Sequence, residues 1–409
     1  MKKKLLVYSD CILFGGSEKV LTNLFQSPQL FEAFEVQFAF RDHEAYRRGV
    51  EALELPFEVL PLKIKSFDGC YFKIHQKNLP KLLKKLLKAP MVTAERLGRL
   101  EQANLPVLRQ LFEQNRPDVV FINNGGYPGA ASCLNAAVAA KQAGVPGVVM
   151  MINNLATRPQ GAAQHQRDEQ VRRSVDRWVT ASKAAGRQLI KNRGIAPELW
   201  SDLPNCLGDQ EALLRLQPGK LRQEFGITPQ TPVMVAAGHL TWRKGYQVAV
   251  EALGRIKEQL GEAQLFIFGE GELRAPLEAS IKQLGLSGKV HLPGHRSNVV
   301  EYLVDADLFL MPSVDFEDFP YANLEAMILG KPIIGTEVAG IPEQVADGQT
   351  GLVIAPNDPE ALAQAIASLL ENPQRRQEMG QKAKARFFEQ YDNQPVMNRF
   401  ISLFSELAA

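Results

Sequence analysis

Short apolar runs alternate with amphipathic stretches along the whole chain, the pattern of parallel strands joined by crossover helices. The runs predict strands at Lys4–Ser9, Glu35–Phe40, Asp118–Asn123, Gly147–Ile152 and Arg177–Ala181. A second series follows at Val233–Ala237, Gln264–Phe268, Lys289–Leu292, Asp307–Met311, Pro332–Thr336 and Gly351–Ile354. The rhythm restarts once, so the expected class is α/β with two doubly wound domains rather than one barrel. Turn residues at Asp202-Leu-Pro-Asn-Cys-Leu-Gly208 put the boundary near residue 208. The expected division is 1–207, 208–388, and a C-terminal helix over 389–409 that returns to the first domain. A ligand crevice is expected between the domains, at the carboxyl ends of both sheets.

The segment Ser313-Val-Asp-Phe-Glu317-Asp-Phe-Pro-Tyr-Ala-Asn-Leu-Glu325-Ala-Met-Ile-Leu-Gly330-Lys-Pro332 follows a strand and carries helix signals. Pro320 suits a first helical position and Gly330 an end. Amides at the start of such a helix favour an anion such as a diphosphate, while Glu317 and Glu325 can accept hydrogen bonds from sugar hydroxyls. Two isolated glutamates in a solvated loop would be the plainer reading.

The pair is not isolated, because this segment resembles the Glu, seven residues, Glu motif of the family four retaining glycosyltransferases. Other parts of the resemblance are Val235-Ala-Ala-Gly238-His-Leu-Thr-Trp-Arg243-Lys244-Gly245, Phe266-Ile-Phe-Gly269-Glu-Gly271, Val290-His-Leu-Pro-Gly294 and Ala306-Asp-Leu-Phe-Leu-Met-Pro312-Ser313. In the first half it thins to Gly15-Gly16-Ser17-Glu18 and Pro204-Asn205. The resemblance implies the GT-B fold, two Rossmann-like domains facing across a cleft, with donor held mainly by the second and acceptor by the first. It implies that Glu325 meets the ribose hydroxyls and Glu317 the donor sugar, and that Arg243 and Lys244 hold the diphosphate. Backbone groups of Phe319, Tyr321, Ala322 and Asn323 are expected to reach sugar and phosphate. Gly15, Gly16, Asn153, Gly238, His239, Gly269, His295 and Arg296 complete the expected donor set. Glu317, Lys244 and Arg243 are the expected catalytic groups, since a leaving diphosphate gains charge in the transition state.

Three positions depart from the family pattern: His239 stands where many members have Arg, Asp318 replaces a frequent Gly, and Asn153 stands where many have His. An amide can bind a hydroxyl but cannot titrate, so sugar recognition survives this change more readily than acid–base chemistry. Asn123, Asn124 and Tyr127, after another first-half strand, are candidate acceptor contacts or loop-capping groups. Gly269-Glu-Gly271-Glu-Leu-Arg274 imitates a dinucleotide fingerprint, but Arg274 replaces the third glycine and two acids would repel a pyrophosphate. Asp305-Ala-Asp307 imitates a metal-binding pair yet leads into a buried strand. No metal and no bound cofactor is expected beyond the nucleotide-sugar co-substrate.

Composition refines this picture. Of 409 residues, 45% are apolar and 22% charged, an ordinary globular balance. No apolar run approaches the roughly 18 residues of a membrane span, and Leu5–Ser9 is too short for a signal-peptide core, so a cytosolic protein is expected. Cys11, Cys70, Cys133 and Cys206 show no paired spacing, against a disulfide framework or zinc site. The net charge of +2 hides a basic first half, with 29 Lys+Arg and 18 Asp+Glu in residues 1–200. Part of that excess lies at Leu79-Pro-Lys81-Leu-Leu-Lys84-Lys85-Leu-Leu-Lys88, preceded by Lys63, Lys65, Lys73 and Lys77. At about 100° per residue its leucines fall within roughly 140° and its lysines opposite. Such a helix either docks on anionic lipid, peripheral to the inner membrane face, or packs its leucines on the domain's own core. The functions expected are sugar transfer from a nucleotide donor, UDP above all, to a lipid-linked or polysaccharide acceptor in cell-surface glycan synthesis. A GT-B nucleotide-sugar epimerase and a catalytically silent nucleotide-sugar-binding partner of a glycan assembly complex are the alternatives. No nucleic-acid partner is expected.

Overall fold

The computed structural model describes residues 2–11, 15–77, 79–96 and 98–408. Two compact units emerge: Met1–Leu203 with Gln394–Ala409, and Pro204–Asn393. The crossings lie a few residues from the expected 207/208 and 388/389. The difference has a local cause: Asn205 Nδ2 donates to the Phe319 carbonyl at 2.7 Å and Cys206 Sγ to Asn393 Oδ1 at 3.1 Å, tying residues 204–206 into the second unit.

The first unit holds seven parallel strands: β1 (Lys3–Ser9), β2 (Phe34–Arg41), β3 (Val59–Leu62), β4 (Val119–Asn124), β5 (Gly147–Ile152), β6 (Arg177–Thr180) and β7 (Trp200–Asp202). Their order is β3-β2-β1-β4-β5-β6-β7, with Val7 opposite both Phe38 and Phe121. Helices cover both faces, which is why Leu5–Tyr8 and Val148–Ile152 are continuous buried apolar runs rather than alternating ones. β3 and β7 go beyond the strands the pattern predicts; both are short sheet edges. The helix Asn393–Ala408 closes this unit, setting Phe404 5.2 Å from Phe121 and 6.2 Å from Phe34, with Leu407 against Gly147. A side chain at Gly147 would meet Leu407 Cβ at 2.8 Å, so glycine permits the close approach.

The second unit holds six parallel strands: β8 (Val233–Ala237), β9 (Gln264–Phe268), β10 (Val290–Gly294), β11 (Leu308–Met311), β12 (Ile333–Thr336) and β13 (Gly351–Ile354), ordered β10-β9-β8-β11-β12-β13. In both sheets the order reverses beside the first strand, between β1 and β4 and between β8 and β11. Chain direction splits there, and the loops leaving the two strand ends diverge to opposite faces, opening a crevice. Asp305 accepts from the Gly219 and Leu221 amides at 2.5 and 2.8 Å, and Asp307 from the Val233 amide at 2.8 Å. Both acids thus tie backbone segments together.

The lysine–leucine segment lies in the helix Lys81–Arg96, and its leucines face water: Leu82, Leu83, Leu86 and Leu87 are 71%, 42%, 62% and 44% exposed. Lys84 and Lys88 are half-buried, and the Lys88 ammonium sits 5.9 Å above the Tyr71 ring. The helix therefore packs inward through its lysine side, and the core-packing alternative for the leucines does not hold. The Lys81 side chain and residue 78 lie outside the described residues.

Candidate active site

The crevice of the second sheet is built by two loops. After β8 the chain runs from Gly238 through the turn Trp242–Lys244 to Gly245, which opens the helix Tyr246–Arg255. After β11 it runs from Pro312 to Pro320, which caps the helix Tyr321–Ile328 from outside rather than forming its first residue. The two loops are clamped. Val314 N donates to the Arg243 carbonyl at 2.8 Å, and Gly245, at φ 68°, approaches so closely that a Cβ there would lie 1.9 Å from the Pro312 carbonyl oxygen.

That clamp brings Glu317 onto the basic pair. Lys244 Nζ donates to Glu317 Oε2 at 2.5 Å, Arg243 Nη1 to the same oxygen at 3.2 Å, and Ser313 Oγ to it at 3.3 Å. Lys244 and Glu317 side chains are only 10% and 12% exposed. Arg243 also donates to the Phe316 carbonyl at 3.1 Å. Tyr246 lies beneath; burial first, and the Glu317 charge second, push its hydroxyl pKa well up, so it stays neutral. The Thr241 hydroxyl is buried without a partner among the described residues. Tyr246, Ser313 and Thr241 are absent from the residues nominated by sequence, and only their nearness to Arg243 and Glu317 along the chain could have flagged them.

Within the helix Tyr321–Ile328, Tyr321, Ala322 and Glu325 share the partly exposed side, as their spacing requires. Asn323 is fully buried instead: its Nδ2 donates to Gln344 Oε1 at 2.9 Å and its amide to the Pro320 carbonyl at 3.2 Å. Phe319 is buried edge-on against Tyr391, 5.4 Å between centroids, and its carbonyl accepts from Asn205. Asn323 therefore holds the loop through its Nδ2 and amide, while its buried Oδ1 has no partner among the described residues.

Other expected donor groups separate from this cluster. Gly269, at φ 152°, packs on the β8 loop: a Cβ would lie 2.0 Å from the Gly238 carbonyl oxygen, so backbone approach explains this glycine. Gly238, at φ 148°, backs onto Tyr246 and Lys244. Arg296 pairs with Glu224 at 2.9 Å and lies over the Tyr302 ring after the edge strand β10, with β9 between it and β8. His295 beside it is exposed, as is His239 in the β8 loop.

In the first unit, the groups after β1 and β4 form a connected polar cluster. Glu18 is fully buried; it accepts from Gly15 N and Ser9 Oγ, both at 3.3 Å, and from Ser17 Oγ at 2.6 Å. Burial raises its pKa despite these bonds. Among the described residues, and apart from its chain neighbours, no atom lies within 4 Å of where a Cβ on Gly16 would stand. Asn153 Nδ2 donates to Asn123 Oδ1 at 2.7 Å and to the Asn124 carbonyl at 3.1 Å. Asn123 in turn donates to the Ser17 carbonyl at 3.3 Å. Asn124 caps the following loop, donating to the Pro128 carbonyl and accepting from Ala130 N. Tyr127 is a core residue, 2% exposed, donating to Asp168 at 3.1 Å beneath the Arg193 guanidinium. Acceptor contact through the side chains of Asn124 and Tyr127 is thus corrected to loop capping and core packing, while Asn153 is partly exposed.

Residues 219–386 match the family model described as glycosyl transferases group 1. A putative colanic acid biosynthesis glycosyltransferase of Escherichia coli is 38% identical over 148 residues, 34% of this chain and 36% of that one. The N-acetyl-alpha-D-glucosaminyl L-malate synthase of Bacillus anthracis is 27% identical over 199 residues, 49% of this chain and 52% of the relative. The chain thus spans about half or less of these relatives' length. Among solved structures, Anabaena HepE in complex with UDP superposes with a TM-score of 0.77 at 19% identity, covering 98% of this chain and all of that one. WaaG, a glycosyltransferase involved in lipopolysaccharide biosynthesis, gives 0.65 at 18%, covering 98% and 99%. The group 1 glycosyl transferase match thus covers residues 219–386, and the structural neighbours show the GT-B fold for the chain.

Proposed function

We propose that this chain is a retaining glycosyltransferase of the Glu-x7-Glu type, moving a hexosyl unit from a UDP-sugar to a lipid-linked or polysaccharide acceptor in cell-surface glycan synthesis. The observation that carries the reading is the gathering of Arg243, Lys244 and Glu317 where strand order reverses in the second sheet. Such a crevice takes nucleotides in doubly wound folds, and two adjacent cations suit a diphosphate. Glu325, one helix turn from Tyr321, is assigned to the ribose hydroxyls and Glu317 to the sugar. The HepE structures that hold UDP and UDP-glucose favour the uridine donor, and relatives named for colanic acid and amylovoran synthesis favour a glycan acceptor.

In the transfer step the bond from the anomeric carbon to the UDP oxygen breaks as a bond to the acceptor oxygen forms on the same face. The acceptor proton passes to the leaving phosphate oxygen. Arg243 and Lys244 meet the charge that develops there, so no metal ion is invoked. Asn153 cannot exchange a proton, and in this scheme it need not. A lipid-linked acceptor lies at a membrane surface, and the outward leucines of the helix Lys81–Arg96 support cytoplasmic, peripheral docking on anionic lipid. Among the described residues no helix is long and apolar enough to cross a membrane.

The test is a thermal-stabilisation screen against UDP-, GDP- and ADP-sugars, followed by NMR of the anomeric configuration of the product. A UDP-sugar is expected to raise the melting temperature most. No stabilisation by any of them would overturn the reading, and UDP release with epimerised sugar and no acceptor would replace it with an epimerase.

A further inference from the structure

The basic pair assigned to the diphosphate is already occupied by an anion of the chain itself. One oxygen, Glu317 Oε2, gathers Lys244 Nζ, Arg243 Nη1 and Ser313 Oγ, at 2.5, 3.2 and 3.3 Å. The three donors come from two loops that the Gly245–Pro312 contact holds together, so the pocket for this oxygen is built by the backbone. The Lys244–Glu317 pair is largely shielded from water, and neither cation can meet a phosphate fully while the contact to Glu317 is made. Meanwhile Glu317 cannot present the same oxygen to a sugar hydroxyl, because it already accepts three bonds.

The carboxylate also sits on a segment poised to change. Phe316, directly before it, has φ 45°, a conformation costly for a non-glycine residue, and its ring is 41% exposed. Asp315 Oδ1 accepts from Phe316 N at 2.8 Å, and Arg243 donates to the Phe316 carbonyl. The strained residue is therefore held by the same guanidinium that Glu317 engages. Drawing Arg243 away would thus remove one bond from the carboxylate and one from the backbone turn that carries it.

We infer that Glu317 is a displaceable internal anion: it fills the diphosphate site of the unliganded enzyme, yields Lys244 and Arg243 to the incoming nucleotide, and only then turns to the donor sugar. This deepens the proposed function and rests on it. The exchange couples donor binding to the arming of Glu317, since its Oε2 is free for the sugar only once a diphosphate has replaced it. Water alone would not release it, which limits idle exposure of the basic pair to other phosphates.

The experiment is calorimetric titration of the full chain with UDP, and separately with inorganic pyrophosphate, for wild type, Glu317→Gln and Glu317→Ala. Both variants remove the competing charge, so both should bind UDP and pyrophosphate at least fivefold more tightly while transferring sugar more slowly. Glu317→Gln keeps shape and hydrogen-bonding reach, and Glu317→Ala guards against one variant losing the fold; melting curves report folding for each. Wild type binding UDP while the folded variants bind it no more tightly overturns the displacement and leaves the transferase reading standing. Wild type binding neither UDP nor pyrophosphate overturns the reading of this site as a diphosphate site and this inference with it.

Discussion

The outward leucines of the helix Lys81–Arg96 allow a quantitative prediction. Leu82, Leu83, Leu86 and Leu87 together leave about two leucine side chains' worth of apolar surface in water; at ~2 kcal/mol each, burial at the acyl boundary contributes about 4 kcal/mol. Lys85, an exposed lysine of this segment, contributes about 1 kcal/mol near an anionic leaflet. The total of about 5 kcal/mol corresponds to half-maximal binding on the order of 200 μM lipid. Replacing the two most exposed leucines, Leu82→Ser with Leu86→Ser, removes roughly 2–3 kcal/mol, on the order of fiftyfold in partitioning. Because these side chains touch little of the protein, the melting temperature should stay put. Sedimentation with vesicles of neutral or anionic lipid, at low and high salt, measures the effect. Salt should weaken only the lysine contribution, so Lys85→Glu, at this exposed lysine, should reduce the preference for anionic vesicles. If wild type pellets no better with anionic than neutral vesicles, or the serine variant pellets as well as wild type, the helix does not dock on lipid.

Glu325→Ala should weaken UDP binding itself, by calorimetry, because ribose bonds act in ground and transition states alike; unchanged affinity would refute that role. Lys244→Ala, and secondarily Arg243→Ala, should lower the transfer rate by on the order of a hundredfold or more, and a loss under tenfold in both would count against their role on the leaving group. Gly245→Ala should destabilise the second unit by about 2 kcal/mol or more in denaturant unfolding, since its φ of 68° and the Pro312 carbonyl 1.9 Å from the new Cβ leave no relaxed position.

The central strands were legible because parallel strands buried on both faces must be continuous apolar runs, as Val148–Ile152 shows. The edges were not. Val59-Leu-Pro-Leu62 carries a proline, tolerated because β3 pairs on one side only, and Trp200-Ser-Asp202 is too short and polar to announce β7. At the site, Arg243, Lys244 and Glu317 could be nominated from their loops, but their shared contact depends on the Gly245 clamp, which spacing does not encode. Tyr127 misled because an aromatic after Gly125-Gly126 looks loop-exposed, whereas the buried Asp168–Arg193 pair, 2.7 Å apart, draws its hydroxyl inward. The direction of the leucine face also escaped periodicity, which finds two faces without saying which one meets the protein.

The closure of the first unit by Asn393–Ala408 imposes an order on biosynthesis. On the ribosome, β1–β7 emerge long before the helix that covers Phe34 and Phe121. The roughly 190 residues of Pro204–Asn393 take about 10–40 s to translate at ~5–20 residues per second, and throughout that interval an aromatic face stands open. The second unit, whose strands lie within one uninterrupted stretch, can mature meanwhile. A truncation just after Asn393 would consequently spare the second unit and cripple the first, and nascent chains should engage chaperones through Phe34 and Phe121 until the helix Asn393–Ala408 emerges.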